Sequence, residues 1–306
     1  MRIDQQGLQN FYTGYHHLKQ LFKNYRPFSY LRGIMTEKIL ILDFGSQYTQ
    51  LIARAVREAN VYCEIIPFHK PVQFDSSLKG IILSGSPFSV NDKNAPQVDI
   101  AMLNGQLPVL GVCYGAQLTA KQFGGEVANS NKREYGRATM QITASDVLLN
   151  EVNKTSQVWM SHADSVLKLP DGFDVLAITD SIPFAAFKKN KSALPLYCVQ
   201  FHPEVYHTTE GKKIIKNFLV NVCGCKQDWT AAHFITDTIA ALKKQIGDRK
   251  VVMALSGGVD STVAATLIHR AIGDKLYGIF VDNGVLRKHE FESVLKTYAQ
   301  IGLNVK

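Results

Sequence analysis

Residues 107–125, LPVLGVCYGAQLTAKQFGG, decide the fold class of this chain. The apolar run over residues 107–112 is typical of a buried strand in a parallel sheet. A helix is predicted over residues 116–123, with two glycines directly after it as its end. The stretch therefore predicts a strand, a tight turn and a helix, with Cys113 at the turn.

Cys113 has the surroundings of a cysteine nucleophile. Gly111 and Gly115 flank it at the spacing of a G-x-nucleophile-x-G elbow, where glycine lets the strand and the helix pass closely. The helix N-terminus favours the thiolate, and the backbone N–H of Tyr114 can face a developing oxyanion. The alternative is that Cys113 is a small buried hydrophobe, as most free cysteines are.

A general base is indicated within residues 196–204, LYCVQFHPE. An apolar strand is predicted to end at Phe201, directly before His202. Because functional groups gather at the carboxyl ends of parallel strands, Cys113 and His202 are expected to meet. His202 would then accept the thiol proton, while Glu204 would hold the other imidazole nitrogen and fix its tautomer.

The strings GVCYGAQ and FHPEV resemble those of the class I glutamine amidotransferases, and the resemblance covers roughly residues 38–225. It implies an α/β fold with a doubly wound, mostly parallel sheet of flavodoxin-like type. It also implies that the cysteine attacks the side-chain amide of glutamine, forms a glutamyl thioester and releases ammonia. Carried over to this chain, Cys113 is the nucleophile, His202 the base and Glu204 the orienting acid.

The same resemblance assigns oxyanion and glutamine binding to further positions, which are Ser86, Tyr114, Gln117, Ser161 and His162. One of them departs from the family pattern, because the usual Gly-Gly-Pro loop is replaced by Gly85-Ser86-Pro87. Serine keeps the backbone N–H that an oxyanion hole needs. A left-handed backbone at Ser86, however, would cost about 1 kcal/mol or more and would reduce the efficiency of the hole.

A second chemical motif, SGGVDST, occupies residues 256–262 between a predicted strand at 250–255 and a predicted helix at 263–272. A glycine-rich loop at a helix N-terminus presents backbone N–H groups to phosphate oxygens. Hydroxyl groups within the loop add further donors. The G-K-[ST] signature of a Walker A loop is missing, so the motif belongs to another class of phosphate loop.

SGGVDST resembles the pyrophosphate loop of the N-type ATP pyrophosphatases. The resemblance implies the beginning of an adenine-nucleotide α-hydrolase-like α/β domain that binds ATP and Mg²⁺ as a substrate complex, without a prosthetic group. It assigns ATP binding to Ser256, Gly257, Gly258, Val259, Asp260, Ser261, Thr262 and Val281. Asp260 is also the expected metal partner, acting through the phosphates.

A class I glutaminase followed by this loop resembles the family of glutamine-hydrolysing GMP synthetases. The resemblance implies glutamine, ATP and XMP as substrates: ATP adenylates the xanthine oxygen, and ammonia from the Cys113 site displaces AMP. It also implies a homodimer, whose dimerisation domain we do not expect in these 306 residues. We therefore expect at most the glutaminase half-reaction. The alternatives are a different class I glutamine amidotransferase and an inactive fragment.

Three segments are predicted along the chain: residues 1–35, 36–225 and 226–306. The first is rich in basic and aromatic residues and lacks the apolar core of a signal peptide. We interpret it as an extension upstream of a natural start at Met35, and the alternative is an amphipathic arm that grips a partner.

The composition limits which other classes of protein the chain can belong to. A hydrophobic content of 46% and a charged content of 20% are ordinary for a globular protein. The net charge of +8 fits anionic substrates such as nucleotides, while the lack of a dense basic run argues against nucleic acid. No apolar segment approaches about 18 residues, so no membrane span is expected. Five cysteines without framework spacing favour a reducing cytoplasm.

Overall fold

A computed structural model describes residues 37–282, 284 and 286–306, with the side chains of residues 130–134 left out. The predicted N-terminal extension, residues 1–35, lies outside the described residues. The described chain forms two compact units, residues 37–234 and residues 235–306. Each unit is built around its own sheet.

One sheet of nine strands organises the first unit. In chain order the strands are β1 Lys38–Asp43, β2 Tyr62–Pro67, β3 Leu78–Leu83, β4 Val109–Val112, β5 Glu126–Ile142, β6 Thr155–Lys168, β7 Phe173–Thr179, β8 Ala186–Lys189 and β9 Leu196–Val199. Across the sheet their order is β2-β1-β3-β4-β9-β8-β7-β5-β6. The strands from β2 to β9 in this order are parallel, and the remaining four extend the sheet in antiparallel fashion.

Both faces of the parallel part are covered, as the doubly wound prediction requires. On β1, Ile39 and Ile41 belong to one buried cluster, whereas Leu40 and Leu42 belong to a second cluster on the other face. The helices that cover these faces are α1 Thr49–Glu58, α2 Ile100–Asn104, α3 Tyr114–Gln122 and α4 Gly211–Lys216. The predicted α/β fold is therefore confirmed, and the antiparallel extension is a feature that the sequence patterns did not indicate.

The residues directly after 225 contact the first unit. Trp229 donates its backbone N–H to the Asn60 carbonyl at 3.0 Å, and its ring lies 6.5 Å from that of Tyr62. These contacts attach the residues after 225 to the first unit. The two compact units divide inside α5, Ala231–Ile246, and the domain boundary at residue 225 stays a prediction.

The second unit has a parallel two-stranded sheet of β10 Val251–Leu255 and β11 Leu276–Phe280. Helices α6 Val259–Ile272 and α7 Glu290–Gln300 accompany it. Helix α6 begins four residues before its predicted start, because Gly258 takes an extended conformation and acts as the N-cap. Within the described ranges, no helix reaches the length and hydropathy needed to cross a bilayer.

Candidate active site

The elbow predicted around Cys113 is present in the structure. Cys113 is the single residue between β4 and α3, and its backbone has φ 52° and ψ −102°, an unfavourable conformation for a side-chain-bearing residue. A Cβ on Gly111 would lie 2.7 Å from the carbonyl carbon of Gly115. A Cβ on Gly115 would lie 2.6 Å from Cβ of Leu83. Glycine is therefore required on both sides of the turn.

Helix α3 begins with a backbone N–H that no intrahelical hydrogen bond uses. The N–H of Gly115 donates to the Ser84 carbonyl at 3.2 Å, and those of the next two residues donate to the Cys113 carbonyl at 3.1 Å. The N–H of Tyr114, the first helical residue, has no acceptor within the helix. Its phenol donates to the Pro96 carbonyl at 2.6 Å and so anchors the side chain in the core. Tyr114 can therefore offer an oxyanion its backbone N–H but not its phenol.

His202 and Glu204 form a buried pair. Nδ1 of His202 lies 2.7 Å from Oε1 of Glu204, and the side chains are 3% and 0% exposed. The backbone of His202 is held on both sides, since its N–H donates to the Trp159 carbonyl and its carbonyl accepts from the Thr208 hydroxyl at 2.6 Å. The ring of Tyr48 packs edge-on against the imidazole at a centroid distance of 4.8 Å.

The charge of this pair follows from its surroundings. Burial lowers the pKa of His202, but the Glu204 carboxylate and then the Cys113 sulfur outweigh burial, so the pKa lies well above its usual value. The structure therefore brings Cys113, His202 and Glu204, the predicted nucleophile, base and orienting acid, into one electrostatic unit.

The predicted glutamine-pocket residues also gather around Cys113. The thiol donates to the Ser161 carbonyl at 3.9 Å, so Ser161 reaches the sulfur through its backbone. The side-chain amide of Gln117 donates to the Asp164 carbonyl at 2.6 Å. His162 is buried, and burial lowers its pKa to about 4, which keeps the ring neutral near neutral pH.

Ser86 has a different conformation from the one considered in the sequence. It does not belong to the described non-glycine residues with positive φ, so the cost of a left-handed backbone does not arise. Its hydroxyl donates to the Phe44 carbonyl at 2.9 Å and accepts from the N–H of Phe88 at 3.3 Å. The neighbouring Gly85 passes close to the His202 ring, since a Cβ there would lie 3.4 Å from Cε1 of His202. These contacts hold the loop beside the imidazole of His202.

Two residues of the site received no role from the sequence patterns. Gln200 is completely buried, and its amide donates to the Cys113 sulfur at 3.8 Å. The carboxylate of Asp164 accepts from the Ser89 hydroxyl and from the Asn129 amide. In the sequence, only the positions of these two residues relate them to the site: Gln200 directly precedes FHPE, and Asp164 lies two residues after His162.

The glycine-rich loop of the second unit is internally ordered. Gly257 has φ +77°, a conformation that favours glycine. The hydroxyls of Ser256 and Ser261 are 3.0 Å apart, and that of Thr262 donates to the Gly258 carbonyl at 2.8 Å. The loop ends at the N-terminus of α6, where a phosphate would find backbone N–H groups.

The other residues predicted to bind ATP lie in the first turn of α6 or directly after β11. Val259 and Asp260 occupy the first turn of α6. Val281 is exposed and follows β11, which is parallel to β10, so both strand ends are at the same edge of the sheet. Among the described side chains, no group of three or more potential ligands could hold a metal ion by itself.

Two known families match this chain, one over the residues around Cys113 and one over the residues that include the SGGVDST loop. Residues 40–222 match the family described as glutamine amidotransferase class-I, and residues 231–306 match the family described as NAD synthase. The solved structure of a putative GMP synthase protein from Thermoplasma acidophilum aligns with a TM-score of 0.50 and 30% identity, covering 62% of this chain and 94% of that one.

Curated relatives match over most of this chain. The GMP synthase [glutamine-hydrolyzing] of Cytophaga hutchinsonii is 56% identical over 272 residues, 89% of this chain and 53% of the relative. That of Christiangramia forsetii is 53% identical over 273 residues, with the same coverage of 89% and 53%. The chain thus spans about half the length of these relatives. Since the amidotransferase match covers more than half of the chain, the chain belongs to the class-I glutamine amidotransferase family.

Proposed function

We propose that the chain supplies ammonia from glutamine for the synthesis of GMP. The observation that carries this proposal is the buried unit of Cys113 on its strained elbow and the His202–Glu204 pair, whose Nδ1–Oε1 distance is 2.7 Å. Two features link this proposed ammonia supply to GMP rather than to another product. One is the SGGVDST loop in the same chain, and the other is the sequence identity of 56% and 53% to two GMP synthases.

The first half-reaction uses the residues of the first unit. His202 takes the thiol proton of Cys113, and the thiolate adds to the side-chain carbonyl carbon of glutamine. The backbone N–H groups of Tyr114 and Ser86 stabilise the oxyanion. When the carbon–nitrogen bond breaks, the imidazolium returns the proton to the departing nitrogen, which leaves as ammonia.

Hydrolysis of the thioester completes this half-reaction. His202 accepts a proton from water, whose oxygen attacks the thioester carbonyl. The carbon–sulfur bond then breaks, glutamate leaves, and the electron pair returns to the Cys113 sulfur. The raised pKa of His202 suits its role as the acid towards the leaving nitrogen, and Glu204 maintains the imidazole orientation in both halves. Gln117, Ser161 and His162 line the position of the bound glutamine.

The second unit is proposed to bind ATP and to contribute the first residues of an adenylating site. Its support is the match to the NAD synthase family and the loop at the N-terminus of α6. Backbone N–H groups of residues 256–262 would receive the phosphates, and the backbone at Val281 would contact adenine. A single carboxylate, Asp260, suits a Mg²⁺ ion that is held mainly by phosphate oxygens and water. Adenylation of XMP, a homodimer and a cytoplasmic location remain predictions from the family resemblance.

The test is the release of ammonia from glutamine by the purified chain, repeated with ATP, Mg²⁺ and XMP and combined with an assay for GMP. We expect ammonia that disappears in Cys113→Ala but persists in Cys63→Ala, since Cys63 is buried beneath α1 away from the elbow. Ammonia without GMP supports the glutaminase half-reaction alone. GMP formation would show that this chain is sufficient for both halves. Absence of Cys113-dependent ammonia under both conditions would overturn the proposal.

A second candidate is a binding module without catalysis. It is favoured by one observation: Val252 on β10 and Ile279 on β11 are 67% and 45% exposed on the same face of their sheet. Parallel sheets are usually covered on both faces, so this face is suited to an apolar partner. A folded chain that releases no ammonia would favour this candidate.

A further inference from the structure

Gln200 lies where the chain leaves the central strand β9 and approaches the elbow. Its side chain is 0% exposed, and its backbone N–H donates to the Ala185 carbonyl at 2.9 Å. A buried amide that lacks partners costs free energy, so the contacts of this side chain are informative. They run in two directions, to the Cys113 sulfur and to Gln117.

The hydrogen-bond network determines which end of the Gln200 amide faces the sulfur. The nitrogen of the Gln117 amide is identified as the donor because it contacts the Asp164 carbonyl at 2.6 Å, which can only accept. The same nitrogen lies 3.4 Å from Gln200, so the atom it meets there is the acceptor Oε1. Nε2 of Gln200 therefore points its hydrogens towards the Cys113 sulfur, 3.8 Å away.

We propose that Gln200 is a further residue of the glutaminase site, a fixed hydrogen-bond donor that holds the Cys113 sulfur and stabilises its negative charge. The proposal rests on the proposed role of Cys113 as the nucleophile. A donor to an ionised acceptor is stronger than one to a neutral acceptor, and full burial removes competing water. Gln200 acts in addition to His202, which exchanges the proton, because an amide donates without losing its hydrogen.

This contact matters at two points in the reaction. Before attack, it stabilises the thiolate that forms when His202 takes the proton. During thioester hydrolysis, it stabilises the sulfur as the carbon–sulfur bond breaks and the electron pair returns to it. Because Gln117 is a predicted glutamine-binding residue, the series Gln117–Gln200–Cys113 also connects the proposed substrate pocket to the nucleophile through two hydrogen bonds.

The test measures the thiolate directly, with iodoacetamide as the probe and the full 306-residue chain as the protein. Alkylation rates are recorded from pH 5 to 10 for the unsubstituted chain and for Gln200→Met, and Cys113→Ala supplies the background from the other cysteines. Methionine keeps the length of the side chain but cannot donate. Glutamine is not required, so the result is independent of turnover, and failure of the proposed function would appear separately as missing ammonia.

Asn104→Leu is the matched control for loss of a buried amide. Asn104 is 6% exposed and donates to the carbonyls of Leu194 and Pro195 at 3.1 and 3.2 Å. These partners lie before β9, whereas Gln200 lies after it, so the control affects the opposite end of the same strand. Thermal melting of each variant shows whether it is folded.

We expect Gln200→Met to slow alkylation about tenfold near neutral pH and to move the pH profile to higher pH, as the loss of one hydrogen bond to a charged group predicts. Asn104→Leu should leave the profile unchanged. A folded Gln200→Met chain with the profile of the unsubstituted chain would overturn the proposal, and so would an equal shift in both variants.

A measurement without substitution covers the case in which Gln200→Met does not fold. In the ¹⁵N-labelled chain, the side-chain amide resonances of Gln200 should change with the same pH midpoint as alkylation of Cys113, while those of Asn104 should not. Resonances of Gln200 that are constant across that range would overturn the proposal equally.

Discussion

Nδ1 of His202 and Oε1 of Glu204 are 2.7 Å apart in a region from which water is excluded. The second carboxylate oxygen of Glu204 is also buried and has no hydrogen-bond partner among the described residues. A carboxylate in this environment depends on the imidazole for most of its stabilisation. The pair consequently keeps the imidazole of His202 oriented and raises its pKa.

Replacing Glu204 with glutamine should reveal this coupling. Glu204→Gln keeps the shape of the side chain but removes its charge, so burial should bring the pKa of His202 down and the tautomer should no longer be fixed. We expect the rate of ammonia release to fall by about a hundredfold or more. Glu210→Gln is the control, since Glu210 pairs with Lys213 instead. Equal rates in the two variants would contradict the role assigned to Glu204.

Adding one methyl group at Gly115 should destabilise the elbow. The new Cβ would lie 2.6 Å from Cβ of Leu83 and 2.8 Å from its carbonyl oxygen, which is backbone and cannot rotate away. We expect Gly115→Ala to lower the free energy of unfolding by about 1–3 kcal/mol, as overpacking does elsewhere. Urea denaturation measures the change. Gly105→Ala, where the nearest atom is 3.3 Å away, should have a clearly smaller effect.

Ser86→Ala should affect the chemical step more than substrate binding. The substitution removes the bond from the hydroxyl to the Phe44 carbonyl and so loosens the loop that carries the proposed oxyanion donor. One neutral hydrogen bond contributes about 1 kcal/mol, which corresponds to a several-fold lower kcat. KM for glutamine should change little. Ser192→Ala, which loses a bond to Asn104, should leave both constants unchanged; a rise in KM alone for Ser86→Ala would contradict this explanation.

His162 should make stability depend on pH below neutrality. Its pKa falls from 6.5 to about 4 in the folded chain because of burial, so the unfolded chain binds more protons between these values. Stability associated with His162 is therefore present above pH 6.5 and is lost as the pH falls towards 4, in total about 3 kcal/mol.

Comparison with His162→Gln isolates this contribution. His202 acts in the opposite sense, since its raised pKa contributes stability below pH 6.5 that is lost as the pH rises through the folded value. The difference in unfolding free energy between the two chains, measured by urea denaturation from pH 4 to 7, should narrow as the pH falls. A difference that does not vary with pH would rule out the buried neutral state of His162.

Local patterns predicted much of the fold because each concerned a short segment. The apolar run before Cys113, the two glycines beside it and the helix after it all follow from neighbouring residues, and the structure has them at nearly the predicted positions. The antiparallel extension from β8 to β6 was not predicted, because alternation within a strand does not specify which distant strand will pair with it. The π-helix Asn217–Val222 was not predicted either, because apolar residues at helical spacing do not distinguish a π-helix from an α-helix.

The sequence by itself determined which chemistry is possible: a cysteine at an elbow, a histidine and a glutamate after a strand, and a phosphate loop before a helix. Only the tertiary structure decided how these groups influence one another. Burial and proximity raise the pKa of His202, direct the amide of Gln200 towards the sulfur and hold the loop of Gly85 and Ser86 beside the imidazole. The physical reason is that electrostatic and hydrogen-bond energies depend on distance and on the exclusion of water, and packing between distant segments sets both.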